Sequence, residues 1–406
     1  MKREKPELLA PAGNFEKMQF AFHYGADAVY IGGQDFSLRA NAENFSLTEI
    51  KKAVKYAHKL NKKVYVTVNI IFHNEDIKNI ENYLYELEKA KVDAVIISDP
   101  FLIDIIKNKT PNLEMHLSTQ QSALNYETCK FFANENIKRI VLARETSKHD
   151  IKKIIKNGNI DVEMFIHGAM CVSFSGRCVL SNYFTNRDSN RGGCSQICRW
   201  NFDLYNEKKE KIENKTNFSI AVKDLSNAIN IKEIIDLKVK SLKIEGRMRS
   251  IYYIANVINI YRKIIDNAFE NKNYEYDKFD EYELFRCANR EAVSQYFNSK
   301  PTNKEQYYLQ REEQSNKDFL GIVLDYKNSE IILEQRNFFK VGDNITIFGP
   351  NQRKIVLNVE YIKDTHDNLL DAARHPKQVV KIPCKTKVYK NDLLRVFYTI
   401  DNNSKK

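Results

Sequence analysis

The chain has 406 residues, 43% of them hydrophobic, and a formal net charge of +11. One core rarely serves so long a chain, so two domains are expected. No apolar leader follows Met1 to Glu7, and no run reaches the roughly 18 apolar residues of a membrane-spanning helix. No secretory leader and no membrane-spanning helix are therefore expected, and the cytoplasm is the expected location.

In that compartment, the seven cysteines argue for metal or redox chemistry ahead of structural disulfides. The positive charge has two readings. One is attraction of nucleic acid through counterion release; the other is a composition rich in Lys, Asn and Ile throughout.

In chain order, short apolar strands alternate with amphipathic helical patterns. Strands are expected at 7–10, 28–32, 63–69, 94–98, 114–118, 139–143, 162–167 and 241–245. Helical patterns lie between them, at 15–24, 46–60, 77–90 and 125–135, and a last helix at 251–268 follows the eighth strand. Alternation of this kind means βαβ units and a parallel sheet. Eight units suit a closed (β/α)8 barrel of TIM type, with a doubly wound open sheet as the alternative. Residues 1–270 are read as this barrel, carrying an insertion at about 168–240. Residues 271–317, polar and aromatic, read as helical cover and linker. Residues 318–400 read as a small all-β, barrel-like domain. Its strands are expected at 321–326, 330–334, 344–348, 354–362, 378–382 and 393–398, punctuated by Gly342-Asp343 and Gly349-Pro350.

Polar residues, Gly and Pro follow each barrel strand: Pro11 to Asn14, Gly32-Gly33, Asn69, Asp99-Pro100, Thr119-Gln120, Arg144-Glu145, His167-Gly168 and Glu245-Gly246-Arg247. Singly these are caps and turns. Together they make a polar mouth over an apolar barrel, on the face where barrel enzymes build their sites. Arg144, Glu145, His167, Glu245 and Arg247 are the candidate catalytic residues of that rim. An Arg–Glu pair there also reads as a structural ion pair, and His167 reads as a proton donor, a cluster neighbour or a hydrogen-bonded structural residue.

The connection between the seventh and eighth strands is far longer than the others, and long loops in compact domains are usually functional or disordered. It holds a hairpin expected at 202–206 and 217–222. It also holds Cys171, Cys178, Cys194 and Cys198, spaced Cys-x6-Cys-x15-Cys-x3-Cys. Zinc sites favour tight pairs, and only the second pair is tight. An iron–sulfur cluster tolerates wider spacing. Cluster, zinc and unligated thiols all remain open on spacing alone. The Cys-x3-Cys-x2-Cys triplet of radical-type barrel enzymes is absent, as are His-Glu-x-x-His, Gly-x-Ser-x-Gly and a Walker loop. Arg177, Arg187, Arg191 and Arg199 lie in the insertion, and Lys243, Arg247, Arg249 and Arg262 around or after the eighth strand. Tyr183, Phe184, Trp200, Tyr252 and Tyr253 are interleaved with them. This suits phosphate contact and base stacking, or a solvated face over core aromatics.

The run Phe165 to Ser181, with its His167-Gly168 and paired cysteines, resembles the signature of the collagenase-like peptidases, family U-32. Pro6 to Gly13, Tyr24 to Tyr30, Ser98 to Pro100, Cys194 to Trp200 and Ser241 to Arg247 fit the same family, and within it the tRNA hydroxylation protein TrhP group. The resemblance implies a barrel with a small β domain and hydroxylation of the tRNA wobble uridine to 5-hydroxyuridine. It also implies prephenate as hydroxyl-donor co-substrate and a 4Fe-4S cluster on Cys171, Cys178, Cys194 and Cys198. The expected partners are the tRNA anticodon region and an electron-donor protein. A peptidase and a non-catalytic scaffold that binds tRNA or a cluster are the rival readings. The peptidase requires a nucleophile–base pair or an open metal, and the sequence displays neither.

Overall fold

The computed structural model describes residues 4–38, 43–212, 218–288, 290–307 and 318–398. Seven parallel strands come first: β1 (Glu7–Pro11), β2 (Ala28–Gly32), β3 (Lys63–Val68), β4 (Ala94–Ile97), β5 (Met115–Leu117), β6 (Arg139–Val141) and β7 (Asp161–Gly168). The insertion holds β8 (Ala221–Val222) and β9 (Asp224–Ser226) before β10 (Ser241–Ile244). β10 pairs in parallel with both β7 and β1, so the eight-stranded ring closes. The open-sheet alternative is thereby excluded.

Six helices alternate with the first seven strands: α1 (Phe15–His23), α2 (Leu47–Lys59), α3 (Ile77–Lys89), α4 (Phe101–Lys109), α5 (Tyr126–Asn134) and α6 (Lys148–Asn157). Local chemistry starts them. Asn14, Asn125 and Ser147 accept a backbone N–H of the first turn, and Ser46 with Glu49 forms a reciprocal capping box. α2 buries Ile50, Ala53, Val54 and Ala57, one stripe at helical spacing, against the ring. The strands are buried on both faces, which is why they read as unbroken apolar runs.

The barrel interior is not wholly apolar. Leu9, Tyr30, Ile96, Val141, Phe165 and Leu225 form an apolar layer. Below it, toward the strand starts, lies a charged layer. Lys243 Nζ donates to Glu163 Oε1 at 2.8 Å, and Arg139 Nη1 donates to Glu163 Oε2 at 3.2 Å and to Glu7 Oε1 at 2.7 Å. Tyr65 and Ser241 donate to the Glu7 carboxylate at 2.7 and 2.9 Å. Two acids and two bases are thus matched inside the ring. Burial pushes the Glu163 carboxyl up, but Lys243 and Arg139 outweigh it and bring it to about 2. Lys243, grouped above with the basic residues near the rim, therefore belongs to the floor of the barrel.

α7 (Leu180–Thr185) lies in the insertion, and α8 (Ile231–Asp236) precedes β10. α9 (Ile251–Glu270) is buried on nearly all sides, because the barrel covers one face and α10 (Lys278–Ala288) and the C-terminal domain cover the others. No helix among the described residues is long and apolar enough to cross a membrane. The C-terminal domain is an antiparallel eight-stranded sheet around its own core of Val323, Ile331, Leu333, Ile345, Val380 and Leu394. It docks on the barrel helices: Tyr24 Oη donates to Phe348 O and Asn391 O, and Arg395, itself buried, reaches Asn256 Oδ1 at 3.2 Å.

Two expectations change. Of the hairpin, the described residues show the antiparallel bridges Phe202 to Phe218 and Tyr205 to Lys211, with Ile212 N donating to Leu204 O between them, and Asn217 lies outside the described residues. The downstream arm instead pairs β8 with Gln306–Tyr307. Within 271–317, the chain adds more than cover. Ala292–Val293 pairs with β9, which itself lies antiparallel to the end of β7, so this segment extends the barrel sheet.

Candidate active site

The cysteine-bearing insertion lies across the rim at the C-terminal ends of the strands, fixed at separate points. Past β3, Ile71 N donates to Asn190 O at 3.1 Å, and Arg191 donates to Ile71 O at 2.9 Å. Arg191 also grips Asp76 through both guanidinium ends, one at 3.0 Å, and this holds the Asp76 carboxyl below its usual range. Past β6, Ser175 N donates to Glu145 Oε1 at 2.9 Å. The turn Phe174–Gly176 packs on the turn Thr119–Gln121 past β5.

Inside the insertion the chain makes tight turns, with Gly176 and Gly192 in the left-handed region at φ 76° and 98°. Asn190 clamps Cys178, accepting its N–H at 3.2 Å and donating to its carbonyl at 3.1 Å. One sulfur accepts a backbone N–H: Cys178, from Leu180 at 3.4 Å. Cys194 is exposed and the other three are partly buried. Burial pushes the Cys171 thiol up and Cys198 up to about 11; Cys198 feels the charge of the other three sulfurs, and Cys171 that of Cys178 and Cys194. The four thiols therefore share one electrostatic neighbourhood. Among the described residues no three His, Cys, Asp or Glu side chains close around a single-ion site. A soft four-sulfur donor set with a backbone N–H aimed at one sulfur is chemistry that suits an iron–sulfur cluster.

The rim residues divide. Arg144 lies over the Phe165 ring at 4.0 Å, its Nη2 3.8 Å from Glu245 Oε2, and Tyr30 Oη lies 3.2 Å from the same oxygen. These groups face the mouth together. Glu145 turns instead to the insertion; its Oε2 is buried without a hydrogen-bond partner. Arg247 is buried and donates to Ser37 Oγ at 3.0 Å and to Leu38 O, pinning the segment after β2. His167 stands apart. Strand alternation would aim it inward two residues after Phe165, but the β7–β10 register skips one residue there. The ring packs on Tyr253 and Tyr261 of α9, with Nδ1 3.3 Å from Tyr261 Oη. Burial, with Arg249 nearby, lowers it to about 3, so it is neutral at physiological pH.

Of the interleaved aromatics, Tyr183 (84% exposed), Phe184 and Trp200 are at the surface beside the cysteines, whereas Tyr252 and Tyr253 are core. Arg177 and Arg187 are exposed with them. Arg262 is engaged elsewhere, by Asp27 and Asp266. Sequence reading missed Tyr30, inside β2, Asp76, at the start of α3, and Ser175 and Asn190, whose place inside the cysteine loop was the one signal for them.

Residues 13–307 match Peptidase family U32, and residues 315–395 match the Peptidase family U32 C-terminal domain. The chain is 45% identical to tRNA hydroxylation protein P1 of Bacillus subtilis, over 97% of this chain and 95% of that protein. It is 36% identical to a 23S rRNA 5-hydroxycytidine synthase of Escherichia coli, over 66% of this chain and 40% of that one. A protein of Porphyromonas gingivalis named Collagenase is 29% identical over 96% of this chain and 97% of its own length. The matched models cover both domains, and the chain belongs to peptidase family U32.

Proposed function

We propose that this chain is an RNA-modifying enzyme that hydroxylates the wobble uridine of tRNA to 5-hydroxyuridine, with prephenate as co-substrate. The observation that carries the reading is the cysteine insertion laid over the barrel mouth, with exposed Tyr183, Phe184 and Trp200 next to Arg177 and Arg187. Aromatic faces take unstacked bases, and guanidinium groups take flanking phosphates. The base leaves the anticodon stack to reach the mouth. There Arg144, balanced by Glu245 and braced on Phe165, presents a fixed positive group to the substrate. Asn190, Ser175 and the Arg191–Asp76 pair hold the cysteine loop in register with that mouth.

Cys171, Cys178, Cys194 and Cys198 would hold a 4Fe-4S cluster, which when bound supplies one-electron transfer from a donor protein. The names borne by the relatives from Bacillus subtilis and Escherichia coli support RNA hydroxylation. The peptidase reading has only weak support, the name of the Porphyromonas gingivalis relative, and the rim histidine, His167, faces a tyrosine hydroxyl. The test is mass spectrometry of tRNA from a deletion strain complemented with wild type or Cys198→Ser. Loss of 5-hydroxyuridine-derived nucleosides on deletion, restored by wild type but not the variant, is expected. Undiminished modification in the deletion strain refutes the function.

A further inference from the structure

His167, the rim histidine that the proposed chemistry leaves unused, lines a cavity of about 600 Å³. Three elements wall it. β7 and β9 supply His167 and Ser226, α10 supplies Tyr282, Leu284 and Phe285, and the Ala292–Val293 strand closes the third side together with Ser294. Among the described residues, the lining includes neither Arg144 and Glu245 nor any of the four clustered cysteines, so this chamber is separate from the mouth. Ile229 and Phe285 in its wall are exposed, and solutes can enter past them. Ligand pockets typically measure about 300–1,000 Å³ and are mostly apolar with a few placed polar groups.

The walls narrow the class of ligand. Ile229, Leu284, Phe285 and Val293 are apolar, and Tyr276 and Tyr282 add further rings. Aromatic walls take flat rings. The polar groups come from the barrel side. His167 is 2% exposed; its Nδ1 lies 3.3 Å from Tyr261 Oη, and its Nε2 has no hydrogen-bond partner among the described residues. An enclosed ring nitrogen is costly to leave unpaired, and the cavity is where a partner can reach it. Ser226 stands opposite His167 on the β7–β9 ladder. Its Oγ lies 3.4 Å from Tyr261 Oη, and Ser294 Oγ accepts from Asn230 Nδ2 at 2.9 Å, so each hydroxyl keeps acceptor capacity. Charge in the lining is balanced. Lys278 and Glu281 are of opposite sign, and Glu291 is held by Lys223 at 2.5 Å. The lining therefore has no cation in excess to hold an anion.

We propose that this cavity is a second binding site, for an uncharged aromatic or heteroaromatic ring with a hydrogen-bonding edge, such as a nucleobase carries. The ring lies between the aromatic walls, and its polar edge meets His167 Nε2 and the serine hydroxyls. The inference does not rest on the RNA reading: the deletion-strain test can fail while this site still binds.

The probes are uracil and adenine, followed by saturation-transfer NMR and equilibrium dialysis with the full-length protein purified without oxygen. Saturable binding of at least one of them is expected. Benzoate, a charged ring of similar size, should bind about tenfold or more weakly. Phe285→Ala should weaken base binding about fivefold or more by removing a wall, and Ile229→Glu about tenfold or more by placing a charge there. Both positions are exposed, so the variants should fold. His167→Phe, which keeps a ring and removes Nε2, should weaken binding as well. Arg144→Gln, at the mouth, should leave it unchanged. Displacement of the probe by saturating tRNA would identify the occupant as a base of bound RNA; continued uptake by the tRNA-saturated protein would identify a free small molecule. Absence of saturable binding of both bases, wild-type affinity in Phe285→Ala and Ile229→Glu, or loss of binding in Arg144→Gln alone overturns the proposal.

Discussion

Replacing Lys243 with Met tests the charged floor of the barrel. Lys243 is 4% exposed and its partner Glu163 is 0% exposed, so water cannot replace the lost ammonium. Met keeps an unbranched side chain only one atom shorter, and the change is therefore mainly one of charge. Arg139 remains, but it is shared between Glu163 and Glu7. Breaking a buried pair by removing one partner typically costs about 3–5 kcal/mol. For a domain of this size that is a fall in Tm of roughly 10 °C.

The pH dependence should change sign as well. In the wild type the Glu163 carboxyl sits at about 2, below its ordinary 4.5. Its contribution is then present above 4.5 and lost as pH falls through about 2. Without Lys243, burial dominates and raises it, so the variant should be most stable in mild acid and lose stability as pH rises. Thermal and urea unfolding followed by circular dichroism at pH 5 and pH 8 measure both effects. Lys243→Met combined with Glu163→Gln should recover most of the loss. A loss under about 1 kcal/mol, or a variant with the wild-type pH slope, would refute the reasoning that the pair is coupled and dry.

Three other outcomes follow from the same geometry. His167 drops from 6.5 to about 3 on folding, so the unfolded chain takes up a proton that the folded one rejects between those values. Stability should fall as pH drops through that window, by up to about 1.4 kcal/mol per pH unit, and His167→Asn should remove that part of the slope in urea midpoints. Gly32→Ala places a methyl group against the Arg247 guanidinium, Ser37 Oγ and Asn44 Oδ1, and should cost roughly 1–3 kcal/mol; an unchanged urea midpoint would show that this contact yields freely. Tyr24→Phe removes the hydroxyl donated to Phe348 O and Asn391 O, and should lower the melting of the C-terminal domain by about 1–2 kcal/mol without shifting the pH dependence above.

The barrel strands were legible because each is buried on both faces, so a run such as Ala28–Gly32 carries its assignment in its own composition. Helix starts were legible because Asn14 and Ser46 act on residues three positions away. The cysteine quartet declared itself by density. What escaped was pairing at long separation. Nothing local joins Arg191 to Asp76, or marks Asp224 as the meeting point of Arg249 and Arg290. Lys243 was misplaced because a charge in an apolar strand reads as an exit toward solvent, whereas it is neutralised by a glutamate across the ring. His167 was grouped with Arg144 and Glu245 by its position just past a strand, and a one-residue register skip turns it outward.

The sequence by itself determined the eight βα units, the second β domain and the four thiols, because burial, capping and clustering act between residues near in the chain. Only closure of the ring decided which charges are sealed inside, which side chains face the mouth, and that the cysteine loop lies over it. Those outcomes depend on strands that neighbour one another in space while separated by long stretches of sequence, and no local pattern encodes such contacts.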